Sequence, residues 1–158
     1  MNETLRQLYE RTSGRSFTDR AIAAEEKAAI IAAALQAPTA GNQIPYTIID
    51  VQDSAHKAAL AESCDNQPFI AEAPLVLVFL ADCRRWLDAY AFAGAEARKP
   101  GPGDLLLACE DALIAAQNTV VAAESLGIGS CYIGDIMENR ETVVELLGLD
   151  EYVYPAAM

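Results

Sequence analysis

The sequence predicts an α+β fold in which helices cover a small central sheet. Helical and strand-like segments mix along the chain without the strict alternation that a doubly wound parallel sheet requires. The apolar run Leu75–Leu80 is typical of a strand covered on both faces. The segment Asp104–Leu126 is apolar around most of its circumference, as in a helix buried on nearly all sides. A chain of 158 residues is of ordinary size for one domain, so we predict a single domain spanning residues 1–158.

The elements of the first half follow from local patterns, taken in chain order. An amphipathic pattern predicts a short helix over about Glu3–Arg11. A second helix over Ala24–Ala37 ends before Pro38, because the residue preceding a proline avoids helical geometry. The alternating, β-branched run Tyr46–Val51 predicts a strand, and Ser54 is expected to cap a helix that ends near residue 63.

The second half contains the longest predicted helix. Lys99–Gly103 is a proline- and glycine-rich surface loop, Asp104 is expected as the N-cap, and Gly127 ends the helix. Its alanines, such as Ala116, would let another helix approach closely, either from a second subunit or within one domain. Three further elements, a strand, a helix ended by Gly148 and a strand, are predicted over Ser130–Ile133, Arg140–Leu147 and Val153–Met158.

The charge of the chain excludes several classes of partner. The 158 residues carry a net charge of −12, which argues against nucleic acid and against anionic membrane surfaces. The longest apolar run, Ala73–Ala81, is too short to span a bilayer. No basic-apolar-cleavage pattern of a secretory signal is present. We therefore expect a cytoplasmic protein that binds neither nucleic acid nor membranes.

Metal-ligating and nucleophilic side chains are scattered. The four cysteines form no CxxC pair, and the single histidine, His56, is remote from them, so no metal site is predicted. No Ser-His-Asp or Cys-His constellation can be assembled around one histidine. We therefore predict no catalytic residue in the chain, and chemistry supplied by a bound cofactor.

A basic cluster near the N-terminus is the first candidate ligand site. Arg11 and Arg15 flank Thr12 and Ser13, with Arg6 nearby, in an otherwise acidic chain. Arginine binds phosphate with a planar fork of donors, and hydroxyls complete the shell. The cluster therefore predicts an anion clamp, with a solvated helix end as the alternative.

Three other polar segments accompany it. Thr39, Asn42 and Gln43 lie in a turn that is otherwise made of small residues, and a plain helix-to-strand turn is the alternative. Gln67 precedes a proline and could be an ordinary loop residue. The glycine-rich segment Gly127–Asp135 lacks the third glycine of the dinucleotide-binding fingerprint and follows a helix, which argues against a Rossmann site.

Four segments in this order resemble the FMN-dependent nitroreductase family over nearly the whole chain. They are RTSGRSF from Arg11, APTAGNQIPY from Ala37, CDNQPFIAEAPLVLVFLAD from Cys64 and DALIAAQNTVVAAESLGIGSCYIGD from Asp111. The resemblance implies a three-layer α+β sandwich with a central mixed or antiparallel sheet flanked by helices. It also implies a homodimer that carries two FMN molecules at its interface.

The resemblance assigns cofactor contacts to individual residues. In the family the first motif holds the FMN phosphate and ribityl chain, which implies this role for Arg11, Thr12, Ser13 and Arg15. The turn motif implies contacts from Thr39 and Asn42, supplied by the other subunit. Gln67 stands where the family has a flavin-contacting glutamine. The backbone that lines the reactive edge of the flavin corresponds to Tyr132, Ile133, Gly134 and Asp135.

The implied activity is hydride transfer from NADH or NADPH through FMN to a small acceptor such as a nitroaromatic or a quinone, in a ping-pong scheme. The alternatives are a flavin reductase on the same fold and a non-catalytic flavin-binding protein, such as a carrier, a sensor or a truncated remnant. The family typically continues past the position of Met158 with a strand and a basic pair that reaches the phosphate. The resemblance therefore implies a C-terminally shortened member.

Overall fold

The structure, a computed structural model, describes residues 1–158 and is built around a three-stranded sheet. The strands are β1 (Tyr46–Asp50), β2 (Leu77–Asp82) and β3 (Val153–Ala157). They lie in the order β1-β2-β3, and β2 pairs antiparallel with both neighbours. The sheet is thus antiparallel throughout.

Seven helices surround the sheet. They are α1 (Glu3–Glu10), α2 (Ala24–Leu35), α3 (Ser54–Ser63), α4 (Phe69–Glu72), α5 (Arg84–Phe92), α6 (Pro102–Ser125) and α7 (Arg140–Leu147). Short 3-10 turns at Ala40–Asn42 and Asp135–Met137 complete the regular structure.

The strand β2 separates two apolar clusters because successive side chains point to opposite faces of a strand. Leu77 and Phe79 pack on one face with residues of α2 and α6. Val78 and Leu80 pack on the other face with residues of α3, α4 and α7. Helices therefore cover both faces, and the predicted α+β three-layer sandwich is confirmed. The single-domain assignment of residues 1–158 stays a prediction.

One face of α6 forms the centre of the first cluster. Ala112, Ala115 and Ala116 are buried within the chain, together with Ile30 of α2. Of the two predicted packing partners for these alanines, a second subunit or another helix of the same domain, the structure shows the second. Ala116 is therefore not an interface residue. Small side chains explain how α6 packs closely on both α2 and the sheet.

The outer face of α6 is different, because apolar side chains remain exposed there. The most exposed of them are Leu106, Leu107, Leu113 and Ile114. α6 is long and apolar enough to cross a membrane, with a mean hydropathy of 1.4. Core helices of soluble proteins meet the same criterion of length and composition.

The start of α6 lies before the predicted position. Gly101 is the N-cap and Pro102 occupies the first helical position, where its missing N–H is no loss. Asp104 is the third residue of the first turn, and its carboxylate accepts the Gly101 N–H at 2.8 Å and two hydrogen bonds from Arg98. The expectation that Asp104 is the N-cap is thus wrong.

These contacts predict an acid-sensitive helix start. The Arg98 guanidinium and the Gly101 N–H lower the pKa of Asp104 from 3.8 to about 2. A lowered pKa in the folded state contributes stability above the unfolded-state pKa, and this contribution is lost as pH falls from about 4 towards 2. Asp104→Asn should therefore flatten the loss of thermal stability below about pH 4. Parallel melting-temperature profiles for the wild type and the variant would contradict this assignment.

Other boundaries differ from prediction for local reasons. Asp53, rather than Ser54, caps α3 by accepting the His56 N–H at 2.9 Å. α2 ends at Leu35, and β2 begins at Leu77. The helices α4 and α5 were not predicted, because α4 is a single turn and α5 buries no residue.

The predicted strand over Ser130–Ile133 is wrong. The segment makes one isolated bridge, to Ser13, and one reciprocal pair of hydrogen bonds between Ile133 and Met158. Because these pairings involve different partner segments, no continuous ladder forms.

Candidate functional site

The first part of the candidate site is the segment after α1, residues 11–15. α1 begins at an N-cap, Asn2, whose side chain accepts a backbone hydrogen bond at 3.0 Å. After the helix ends, the Gly14 N–H donates to the Ser130 carbonyl at 2.9 Å, and Ser13 forms a parallel bridge with Ser130. These contacts place the segment against the chain that follows α6.

The second part is the segment after α6, residues 127–135. Gly127 ends the helix with φ of 72°, in the left-handed region that favours glycine. The Ile128 N–H then donates back to the Ala123 carbonyl at 2.9 Å. Further along, the Ile133 N–H donates to the Met158 carbonyl at 2.9 Å. The segment is therefore held at one end by α6 and at the other by the end of β3.

The third part is Gln67, which follows a left-handed turn at Asp65 and Asn66. Its Nε2 donates to the Cys64 carbonyl at 2.8 Å and to an Asp135 carboxylate oxygen. The Cys64 carbonyl and the Asp135 carboxylate are both acceptors, so the orientation of the Gln67 amide is determined by its neighbours. The Oε1 atom of Gln67 is consequently the end of the amide that remains available to a ligand, as an acceptor.

At the junction where the segments 11–15, 64–69 and 130–135 meet, two arginines have no acidic partner. Arg11 and Arg15 form no ion pair, although the chain carries a net charge of −12. Arg6, by contrast, lies between Glu3 and Glu10 and donates to both. The expected basic patch is therefore reduced to Arg11 and Arg15, whose charges remain available to an anion.

Two aromatic side chains, Phe69 and Tyr132, interact with these arginines. The Arg15 guanidinium carbon is 6.0 Å from the centroid of the Phe69 ring. Burial raises the pKa of Tyr132 to about 12, and the positive charge of Arg11 opposes this shift. Tyr132 is therefore a neutral donor at physiological pH, and its hydroxyl lies 3.4 Å from the Gln117 side-chain oxygen.

The structure thus brings together the segments 11–15, 64–69 and 130–135. They contain every residue to which the sequence assigned a cofactor contact, except Thr39 and Asn42. Arg11, Thr12, Ser13 and Arg15 come from the first segment, Gln67 from the second, and Tyr132, Ile133, Gly134 and Asp135 from the third.

Thr39 and Asn42 lie elsewhere in the chain. The Thr39 hydroxyl donates to the Asp111 carboxylate on α6. Asn42 borders a groove of about 620 Å³ that is also lined by Trp86 and Arg98. None of the residues that line this groove belongs to the segments 11–15, 64–69 or 130–135. Within one chain, then, the turn is separate from the junction of the other three segments.

A mainly apolar cavity of about 310 Å³ lies beside the junction. Gly14, Ser130, Tyr132 and Ile133 line it, together with residues of α6 and the start of β2. The Ser130 hydroxyl is buried and has no hydrogen-bond partner. The volume of the cavity is at the lower end of the range of small-molecule pockets.

Sequence reasoning missed two residues of the junction and one residue that contacts the turn at Thr39. Phe69 and Ser130 lie inside the recognised motifs but were not singled out. Asp111 is the one charged residue among the buried side chains. A signal existed for Asp111, since a carboxylate amid alanines on a buried helix face requires hydrogen-bond partners.

Side chains that could hold a metal ion are not grouped in this structure. The structure contains no group of three or more His, Cys, Asp or Glu side chains that could hold a metal ion. His56 lies on α3, 3.4 Å from the Asp53 carboxylate.

Comparison with known proteins adds an independent observation. The model of the nitroreductase family matches residues 8–158. Among curated proteins, the chain is 37% identical to the FMN reductase [NAD(P)H] of Bacillus subtilis over 98% of its own length and 63% of that protein. It is 36% identical to the oxygen-insensitive NADPH nitroreductase of Salmonella typhimurium, again over 98% of this chain and 63% of the relative.

A solved structure with the same fold is the NADPH:FMN oxidoreductase from Vibrio harveyi complexed with NAD+. It superimposes with a TM-score of 0.93 at 31% identity, covering 99% of this chain and 66% of that one. The chain therefore spans less than two thirds of the length of these relatives.

Proposed function

The chain belongs to the nitroreductase family, and we propose from this premise that it binds FMN and transfers hydride from NADH or NADPH to a small acceptor. The observation that carries the proposal is the junction of three distant segments beside Arg11 and Arg15, the two arginines without ion pairs. An anionic cofactor would supply the partner that these arginines lack within the chain.

The residues present fit FMN at both of its ends. For the phosphate, Arg11 and Arg15 would provide charge-assisted donors, and the exposed hydroxyls of Thr12 and Ser13 would complete the shell. The orphaned Ser130 hydroxyl, buried at the junction, is a further polar group that a ligand could satisfy.

For the flavin ring, Gln67 and the backbone near Gly134 would be the contacts. Because the Gln67 amide nitrogen is engaged by Cys64 and Asp135, its Oε1 would accept a hydrogen bond from a ring N–H. A Cβ atom at Gly134 would meet nothing within 4 Å, so the backbone there is open to close approach. Asp135 thus acts through Gln67 in this arrangement.

The chain's own part in the reaction is binding and orientation. When bound, FMN supplies the redox chemistry, because a flavin accepts a hydride from a reduced nicotinamide and passes it to an acceptor. Because burial raises the pKa of Tyr132, its hydroxyl remains a hydrogen-bond donor at the edge of the cavity at physiological pH. We assign no catalytic residue to the protein.

The acceptor is the finer part of the proposal. We propose a nitroaromatic or a quinone as the acceptor, by analogy with the Salmonella typhimurium relative, whose name is that of a nitroreductase. Free flavin is a second candidate, supported by the name of the Bacillus subtilis relative, an FMN reductase. A non-catalytic flavin-binding protein remains the alternative from another class.

We further propose that the protein is a homodimer in which the Asn42 turn of one subunit reaches the FMN of the other. The homodimer is supported by the apolar surface that α1 and α6 leave exposed. These two helices lie against each other. Exposed apolar patches of this kind mark interfaces. On α1 the exposed apolar residues are Leu5, Leu8 and Tyr9. Location in the cytoplasm stays a prediction.

The proposal is tested by the visible spectrum and the turnover of the purified protein. We expect a flavin spectrum, release of FMN on denaturation, and oxidation of NADH or NADPH when a nitroaromatic, a quinone or free FMN is added. Varying both substrates should give the parallel lines of a ping-pong scheme.

The outcomes separate the alternatives. Turnover with FMN as the best acceptor would identify a flavin reductase. Stoichiometric FMN binding without oxidation of either nicotinamide would favour the non-catalytic alternative. Absence of both FMN binding and turnover, even with a large excess of added FMN, would overturn the proposal.

A further inference from the structure

Asp111 is the most unusual side chain in the core. It is only 3% exposed and is the one charged residue among the buried residues. It lies in the middle of α6, on the face that carries Ala108, Ala112 and Ala115. A buried carboxylate is costly unless it is hydrogen-bonded, so its partners indicate what it does.

All hydrogen bonds of the Asp111 side chain go to one turn, residues 39–44. The Ala40 N–H donates to its Oδ2 at 3.0 Å, and the Thr39 hydroxyl donates to the same oxygen. The Thr39 oxygen in turn accepts the Ile44 N–H at 2.8 Å. A continuous chain of hydrogen bonds therefore runs from α6 through Thr39 to the far end of the turn.

The turn requires such support because its backbone is strained. Gly41, Asn42 and Ile44 all have positive φ, of 55°, 57° and 50°. Glycine and asparagine adopt this region readily, but a β-branched residue such as isoleucine does so only when its surroundings hold it there. The hydrogen bond to the Ile44 N–H comes from Thr39, the residue held by Asp111.

We infer that Asp111 and Thr39 are positioning residues that hold the turn 39–44 in the conformation that presents Asn42 to FMN. The contact of Asn42 with FMN rests on the proposed function. The Thr39 hydroxyl already donates to Asp111 and accepts from Ile44. Thr39 therefore acts on the ligand through Asn42, rather than by donating its own hydrogen bond.

Isosteric variants test this inference. Thr39→Val removes the hydroxyl at nearly constant volume, Thr39→Ser keeps it, and Asp111→Asn removes the charge. The matched control is Thr47→Val, on β1. The Thr47 hydroxyl also donates to a carboxylate, that of Asp82 on β2, at 2.7 Å. In every protein we would measure amide hydrogen exchange without FMN, the FMN dissociation constant, and the visible circular dichroism of bound flavin.

We expect Thr39→Val to lose exchange protection at the Ile44 amide, whose acceptor is the Thr39 hydroxyl, and to weaken FMN binding by roughly five- to tenfold, about one hydrogen bond. Its flavin dichroism should also change shape. Thr39→Ser should restore all three properties, whereas Thr47→Val should leave FMN binding unchanged. Combining Asp111→Asn with Thr39→Val should add little, because both break one chain.

The experiments distinguish failure of the proposed FMN function from failure of the positioning role of Asp111 and Thr39. If the wild type binds no FMN, the proposed function fails, and hydrogen exchange alone decides whether Asp111 and Thr39 hold the turn. If the wild type binds FMN but Thr39→Val binds it with unchanged affinity and dichroism, the inference is overturned. Unchanged exchange protection at the Ile44 amide in Thr39→Val would also overturn it.

Discussion

Replacing both Arg11 and Arg15 with alanine is expected to raise the FMN dissociation constant about a hundredfold or more. Each arginine would lose charge-assisted hydrogen bonds to the phosphate, worth about 1.5–3 kcal/mol apiece. Two such losses amount to roughly 3 kcal/mol or more, which is about two powers of ten in affinity. Fluorescence titration of the FMN-free protein measures the effect directly.

The fold should survive this double substitution, because neither arginine forms an ion pair within the chain. Arg6→Ala is the matched control. Arg6 is also close to the N-terminus, but Glu3 and Glu10 neutralise it, so its loss should leave FMN affinity within about twofold. Equal FMN affinity of the wild type and the double variant would remove the phosphate clamp from the proposed site.

A second large effect is expected on α6, where two neighbouring positions should respond in opposite ways. Ala116 is 1% exposed and belongs to the apolar cluster between α2, α6 and the sheet. Glutamate there would bury a carboxylate without a partner, at a cost of about 3–5 kcal/mol. Since a domain is stable by about 5–15 kcal/mol, Ala116→Glu should unfold the protein or lower its melting temperature severely.

Ile114→Glu is the control on the same helix. Ile114 is 39% exposed, so a carboxylate there stays hydrated in a single chain. We expect this variant to remain folded but to lose self-association, because a charge is introduced into the proposed apolar interface. Circular dichroism and sedimentation velocity distinguish the two responses. A folded Ala116→Glu variant, or an Ile114→Glu variant that associates like the wild type, would contradict the corresponding assignment.

Much of the fold could be predicted from local pattern. Gly127 and Gly148 end α6 and α7 where expected, both with positive φ, because the left-handed cap depends on only a few neighbouring residues. The continuous apolar run at residues 75–80 predicted a strand covered on both faces, and β2 is the central strand. The strand expected at Ser130–Ile133 failed because a ladder depends on the partner segment as well as on the residues themselves.

The sequence names the residues of the candidate site, but it does not predict the contacts among them. The motifs named Gln67 and Asp135 as separate contacts, whereas the structure joins them across 68 positions of sequence. Arg6 was grouped with Arg11 and Arg15, but two glutamates one helical turn away neutralise it. Such changes of role arise from side-chain neighbours, which spacing alone does not specify.

By itself, the sequence determined the fold class, most of the longer elements and the family to which the chain belongs. These properties follow from periodicity, caps and motifs, each confined to a short stretch of chain. Only the tertiary structure decided which alanines of α6 face the core, which arginines lack partners, and that Thr39 bonds to Asp111, 72 residues away. Long-range contacts of this kind depend on how the helices pack on the sheet, and packing is a property of the whole chain.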